Sequence, residues 1–253
     1  MRVLSANLSG LNAAVKSGFF ELQKVALADV LCLQETRCQD AGRIGEALGY
    51  NSIAATRGTD PRTGKAAHGG VAIFSRLPIS ASPSLTHDAL ALRGQFVAGT
   101  ICGVVIASVY VTLDARPEQF AAFEYLFALV SQREAPALVC GDMNTFRDDR
   151  DAWSFSDALE RGSDGCDRGA MSWFADVFRA GWIDAIEIDW PTRPLYTWWQ
   201  RPDLFERGSG TRVDYILASR TAHERVARGS AEVITDHLRG GHAQIALTVE
   251  NAV

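Results

Sequence analysis

Polar residues in this chain collect at the ends of apolar runs. "LSANL" delivers Asn7, "VLCLQE" delivers Gln34 and Glu35 directly after a buried run, and "ALVCGDMN" delivers Asp142 and Asn144 at alternate positions. Strand period two predicts that Asp142 and Asn144 point the same way. A carboxylate closing an apolar strand needs a cation, a hydrogen-bond partner or solvent, because burying it unpaired is costly. One such end is unremarkable, whereas several converging on one rim would make a site. Glu, Asp and Asn oxygens without Cys or paired His suit a hard ion such as Mg²⁺ or Mn²⁺. Such an ion keeps several waters and binds through one or two carboxylates plus substrate phosphate. That donor set favours phosphoryl chemistry, in which the ion polarises a phosphoryl oxygen and a carboxylate aligns or deprotonates the attacking water. Amides such as Asn7 and Asn144 can hold metal, water or phosphate without adding negative charge. Two histidines lie near the end of the chain in "DHLRGGHAQIALTVE", where Asp236 precedes His237 and Gly240-Gly241 precedes His242.

The elements that must position these residues alternate at first. "RVLSANL" reads as a strand, "AAVKSGFFELQKVAL" as an amphipathic helix and "ADVLCLQE" as a second strand. "GGVAIFSR", "GQFVAGTI" and "GVVIASVYV" follow with short Gly-containing connections and read as antiparallel strands. "EQFAAFEYLFALVSQR" is a second amphipathic helix and "APALVCGDMN" another buried strand. The second half repeats this order in outline, with a helix in "GAMSWFADVFRAG", aromatic "PLYTWWQR", then strands "TRVDYILAS", "SAEVIT" and "AQIALTVE". Two such halves predict an α/β fold of four layers, two mixed sheets packed face to face with helices outside. Segments 56–70 and 147–170 are long, charged or Gly-rich and poor in periodicity, as functional or solvated loops are.

At 253 residues, one domain spanning 1–253 is expected. Hydrophobic residues at 47% and charged ones at 22% exclude a disordered or membrane chain by composition. Apolar runs such as 104–111 are far too short to span a bilayer. The start "MRVLSANLSG" lacks the sustained apolar stretch of a signal peptide, so a cytoplasmic protein is expected. Five cysteines, at 32, 38, 102, 140 and 166, form no CxxC pair and read as reduced thiols, three of them inside apolar runs. A net charge of −5 argues against bulk attraction to nucleic acid, although a local basic rim can coexist with an acidic site that gathers a metal ion.

In order along the chain, "SANLSGLNA", "DVLCLQET", "HGGVAIFSR", "IASVYV", "LVCGDMN", "YTWW", "GTRVDYILAS" and "GHAQIALTV" resemble the exonuclease III and abasic-site endonuclease branch of the endonuclease/exonuclease/phosphatase superfamily. "LQET", "GDMN" and "RVDYIL" together are specific, whereas "GGVAIFSR" alone is weak. The resemblance implies Glu35 as main metal ligand with Asn7 beside it. Asp142 would orient or deprotonate water, Asn144 would hold water or phosphate, and Tyr110 would hydrogen-bond the scissile phosphate. Asp214 would fix the ring of a terminal histidine that stabilises phosphate charge. Trp198 and Trp199 would wall a place for an unstacked or abasic sugar, although paired tryptophans also suit a core.

The chain departs from that pattern at three points. The family usually reads Ser-Asp-His before its last strand, whereas the register of "AQIALTV" puts Gly241 at the acid and His242 at the histidine. The Asn of its Tyr-Val-Pro-Asn stretch is absent from "YVTLDAR", and Ser9 stands where an Asp often lies two residues after Asn7. Asp236 is then the candidate to reach in as the missing carboxylate. The expected function is a Mg²⁺- or Mn²⁺-dependent phosphodiesterase on DNA, cleaving at abasic sites or at 3′ ends of duplex. The expected protein is a monomer with no membrane association, and no protein partner can be inferred. The alternatives are the same chemistry on RNA or a small phosphoester, and a non-catalytic nucleic-acid-binding regulator on the same fold.

Overall fold

The computed structural model describes residues 1–56, 69–82, 85, 87–91, 93–113, 115, 117–131, 135–148, 151–152, 168–190 and 195–250. Most of the two loops singled out in the sequence, and Cys166, lie outside them. One sheet holds β1 (Arg2–Asn7), β2 (Val30–Gln34), β3 (Asn51–Ala55), β4 (Val71–Ser75), β11 (Glu232–Arg239) and β12 (His242–Thr248), in the order β11-β12-β1-β2-β4-β3. The other holds β5 (Ser80–Ala81), β6 (Phe96–Ile101), β7 (Val104–Tyr110), β8 (Ala137–Asp142), β9 (Ile183–Asp184) and β10 (Asp214–Ala218), in the order β5-β6-β7-β8-β10-β9.

Each sheet has a parallel pair, β1–β2 and β7–β8, and the remaining pairings are antiparallel. Parallel neighbours need a crossover, supplied by the helical stretch between β1 and β2 and by the helix Pro117–Ser131 between β7 and β8. This arithmetic of directions builds the site. The carboxyl ends of β1, β2, β7 and β8 carry Asn7, Glu35, Tyr110 and Asp142, and the antiparallel partners β10 and β12 begin at that same rim with Asp214 and His242. The register sets Asp214 opposite Asp142 and Tyr110 beside it. Ligand sites of mixed α/β sheets gather at such strand ends.

Between the sheets lies an apolar layer that includes Val3, Val30, Ile73, Ile106, Leu138, Ile216, Ile245 and Leu247, all buried. A second cluster packs Leu4, Phe19, Phe20, Leu31 and Phe74 outside the first sheet, and a third packs Phe123, Phe127, Trp173 and Phe174 outside the second. These are the four layers expected. Under the rim the sheets are joined by polar contacts, Gln34 Nε2 donating to Ser108 Oγ (3.1 Å) and Ser108 Oγ to the Leu33 carbonyl (3.1 Å).

Two sequence expectations need correction. The helix read over "AAVKSGFFELQKVAL" is three short pieces, Leu11–Lys16, the 3₁₀ turn Phe19–Glu21 and Gln23–Ala26, because Gly18 takes a left-handed φ of 71° and ends the first. The two halves of the chain also do not each make one sheet. The last hairpin, β11–β12, returns to the first sheet and pairs antiparallel with β1, so His242 comes from the far end of the chain to the side of Asn7.

Candidate active site

The convergent residues form one hydrogen-bonded set. Asn7 Nδ2 donates to Glu35 Oε1 (3.1 Å) and to Asp142 Oδ2 (2.9 Å), tying the two carboxylates together. Tyr110 donates its hydroxyl to the same Glu35 oxygen at 2.9 Å, and Arg37 Nη2 pairs with Glu35 Oε2. Asp142 Oδ1 accepts the Asn144 backbone N–H at 2.9 Å. His242 Nδ1 lies 3.0 Å from Asp214 Oδ2, and its Nε2 lies 3.9 Å from Asp142 Oδ2. Asp214 is itself placed by the backbone, with the N–H groups of Val213 and Asp214 donating to Thr197 Oγ1 at 3.1 and 3.0 Å. Above the set lies an open cavity of about 180 Å³, lined among others by Ser9, Glu35, Arg37, Asn144, Trp198 and His242.

Burial and charge oppose each other here. Burial is the largest influence on Asp142 and pushes its carboxyl up to about 7, with His242 pulling it down and Asp214 pushing it up further. For His242 burial works against the charged ring, but the carboxylates of Asp214 and Asp142 outweigh it and raise the imidazole to about 9. The two groups titrate as a pair, and near neutral pH the imidazolium is the proton-bearing member. Burial would raise Glu35 as well, but the Asn7 amide, the Arg37 charge and the Tyr110 hydroxyl together hold it below the usual glutamate value. Burial and the adjacent acids push the Tyr110 phenol far up, so it remains a donor.

Strain marks the same place. Ser9, Glu35, Arg37 and Asn144 have left-handed φ values of 47–48°, and all four line the cavity. Such conformations cost non-glycine residues about 1–2 kcal/mol each, and their clustering at a cleft points to a functional constraint. The glycines before His242 have a backbone reason. Gly240 and Gly241 are the two central residues of the β11–β12 turn, with φ of 56° and 85°, as a two-residue hairpin turn demands. A Cβ on Gly241 would lie 2.2 Å from the Trp199 carbonyl oxygen, and one on Gly240 would lie 2.0 Å from Ser9 Oγ. Gly241 cannot carry an acid without moving the main chain, whereas a side chain at Gly240 would have to displace the Ser9 side chain.

Asn7, Glu35, Asp142, Asn144, Tyr110, Asp214, His242 and Trp198 are brought together, and two expected residues, Asp236 and Trp199, are placed otherwise. Asp236 is exposed on β11 and lines a separate cavity with Lys24, His237 and Gln244, so it does not replace the missing carboxylate. Pairing to β12 shifts register between Ile234 and Arg239 and carries Asp236 along the outer edge strand. Asn7 presents its amide nitrogen to the two carboxylates while its oxygen accepts the Ser9 N–H at 3.0 Å, so here it spaces the acids beside the cation seat. Trp199 is buried edge-on against Phe205, away from the cavity that Trp198 lines. Asn144 reaches the rim through its left-handed turn, because β8 has already ended at Asp142.

Sequence reasoning missed Arg37, Thr197, Leu113 and Val213. Arg37 follows "LQET" directly, which was the available signal. The apolar pair Leu113 and Val213 lines the cavity with Trp198, and nothing in the local pattern distinguishes these residues from ordinary core.

The donor chemistry fits a hard cation at Glu35. Glu35 lines the cavity, and its Oε2 is already engaged by the Arg37 guanidinium. Asp142, Asp214 and His242 also place ligand atoms within 4.8 Å of one another. That trio is a poorer cation seat, since His242 Nδ1 is committed to Asp214 and the ring carries a proton.

The model of the Endonuclease/Exonuclease/phosphatase family matches residues 4–237. The exodeoxyribonuclease of Bacillus subtilis (strain 168) is 24% identical over 265 residues, covering 98% of this chain and 99% of that protein. The DNA repair nuclease APEX1 of Danio rerio is 23% identical over 233 residues, covering 87% and 73%. Among solved structures, an AP endonuclease from Archaeoglobus fulgidus superposes with a TM-score of 0.79 at 19% identity, covering 99% of each chain. The 3′-5′ exonuclease NExo from Neisseria meningitidis gives 0.78 at 23%, covering 99% of this chain and 100% of that one.

Proposed function

Since the chain belongs to the endonuclease/exonuclease/phosphatase family, we propose that it is a divalent-metal-dependent phosphodiester hydrolase acting on DNA, at abasic sites or 3′ ends. The relatives named as exodeoxyribonuclease and DNA repair nuclease support DNA as substrate. The observation that carries the reading is the Asn7 bridge at 3.1 and 2.9 Å, which sets the cation seat at Glu35 one bridging amide away from the Asp142–His242–Asp214 set. When bound at Glu35, Mg²⁺ or Mn²⁺ would polarise a phosphoryl oxygen.

The rest of the work falls to side chains. A water contacting Asp142 Oδ2 loses its proton to a carboxylate that burial has made basic enough to take it near neutral pH. The 3.9 Å between Asp142 Oδ2 and His242 Nε2 lets one oxygen touch both groups. The His242 imidazolium, held by Asp214, supplies fixed positive charge to the phosphate as negative charge builds on it. Asn144 lines the same cavity, its amide nitrogen donating to the Val111 carbonyl at 2.7 Å and its oxygen left to accept from a water. Trp198, Val213 and the half-exposed Leu113 give the cavity an apolar wall beside its charged floor. At about 180 Å³ it is smaller than cavities that enclose a drug-sized ligand, a scale suited to a single nucleotide unit.

The test is one substrate panel under Mg²⁺ and Mn²⁺ titration, holding abasic duplex, 3′-recessed duplex, single-stranded RNA and a simple phosphoester. Metal-dependent cleavage of either DNA duplex is expected. Cleavage confined to RNA or the phosphoester would move the substrate class, and binding without cleavage of any member would make the protein a regulator.

A further inference from the structure

Among the described residues, Arg37 is the one cavity-lining cation that the reaction outlined above leaves without a part. Its Nη2 engages Glu35 Oε2, while Asn7 and Tyr110 both engage Oε1. The carboxylate thus has one oxygen fixed by neutral donors and the other held by a charge. The guanidinium arrives there by construction. Glu35 and Arg37 both adopt left-handed φ, and the N–H groups of Thr36 and Arg37 are pinned to the Gly70 and Gly69 carbonyls at 3.0 and 2.9 Å. A Cβ at Gly70 would meet Thr36 Oγ1 at 2.3 Å, so this close approach needs glycine.

Resting on the assignment of Glu35 as the cation seat, we propose that Arg37 is a built-in counter-cation that competes with the divalent ion for Glu35 and thereby sets how much ion the protein requires. The charge count explains why a competitor is effective here. Among the described residues of the site, Glu35, Asp142 and Asp214 supply three negative charges against Arg37 and His242, while the two positions where further acids could stand hold Ser9 and Gly241. The ion must therefore displace a salt bridge in a site with a net formal charge of only about −1, and it meets a like charge within a few ångströms. The Arg37 side chain is 37% exposed, so solvent screens that repulsion and the effect is moderate. Replacing it by a neutral side chain should tighten ion binding by about tenfold.

The experiment measures Mn²⁺ binding directly, by electron paramagnetic resonance of free Mn²⁺, on the full chain without DNA. Wild type is compared with Arg37→Gln, Arg37→Met, Arg37→Lys and Glu35→Gln, each checked for folding by circular dichroism. The expected result is about tenfold tighter binding in both neutral Arg37 variants, near-wild-type binding in Arg37→Lys, and lost binding in Glu35→Gln. Unchanged or weaker binding in Arg37→Gln and Arg37→Met, with Glu35→Gln still losing the ion, would overturn this inference alone. Wild-type protein that binds no Mn²⁺, or Glu35→Gln that binds it as well as wild type, would overturn the seat at Glu35 and this inference with it.

Discussion

Replacing Asp214 by Asn isolates the electrostatic half of the site. Asp214 is buried, lies 3.0 Å from His242 Nδ1 and is the foremost charge raising the imidazole to about 9. Its loss leaves the burial of His242 uncompensated except by Asp142, so the ring should fall to about 6.5 or lower. At pH 7.5 the imidazolium fraction then drops from nearly all to about a tenth, a loss of about tenfold before orientation is counted. Loss of the fixed ring orientation should bring the total to about 10²- to 10³-fold in kcat. The assay is a pH–rate series on abasic duplex from pH 6 to 9.5, paired with an NMR titration of the His242 ring. Wild type should rise through about 7 as Asp142 deprotonates and fall through about 9 as His242 does. The ratio of wild type to Asp214→Asn should shrink about eightfold between pH 7.5 and 6, because acid restores the variant's imidazolium. A ratio constant with pH, or a His242 titration still near 9 in the variant, would refute the reasoning.

Three further outcomes follow from the same site geometry. Gly241→Asp should not restore a carboxylate to the site and should destabilise the fold by about 2–4 kcal/mol in urea unfolding, since its Cβ meets the Trp199 carbonyl at 2.2 Å and its φ is 85°; wild-type stability would count against this. Asp236→Ala should keep turnover within about twofold of wild type, because the residue is exposed on the edge strand β11; a hundredfold loss would restore it as a site residue. The folded-state value of His242 lies above its unfolded 6.5, so the stability it contributes is full below 6.5 and is lost as pH rises through about 9. His242→Gln should flatten that part of the stability–pH curve of the metal-free protein, and an unchanged slope would show that the raised value is wrong.

Much of the architecture was legible because strand ends announce themselves. Apolar runs closing in Asn7, Glu35 and Asp142 give both the core strands and the rim, and the four layers follow from strands and helices alternating. What was not legible depended on register and close approach. Period-two alternation predicted that Asp142 and Asn144 share a side, but a left-handed turn brings Asn144 there instead. Local pattern made Asp236 a plausible substitute acid, yet the shifted pairing of β11 to β12 holds it on the outer edge. Two adjacent tryptophans looked equivalent, whereas Trp198 faces His242 with ring centroids 6.2 Å apart and Trp199 packs on Phe205. The glycines before His242 read as a lost acid, and the structure adds the turn and the Trp199 contact that require glycine there.

Single-turnover cleavage of a duplex bearing one abasic site, in Mn²⁺ at pH 7.5, compared among wild type, Glu35→Gln and His242→Gln, tests the central claim most directly. Wild type should cleave in a metal-dependent way, with each substitution lowering the rate by about 10²-fold or more. Wild-type cleavage that survives both substitutions would contradict that claim.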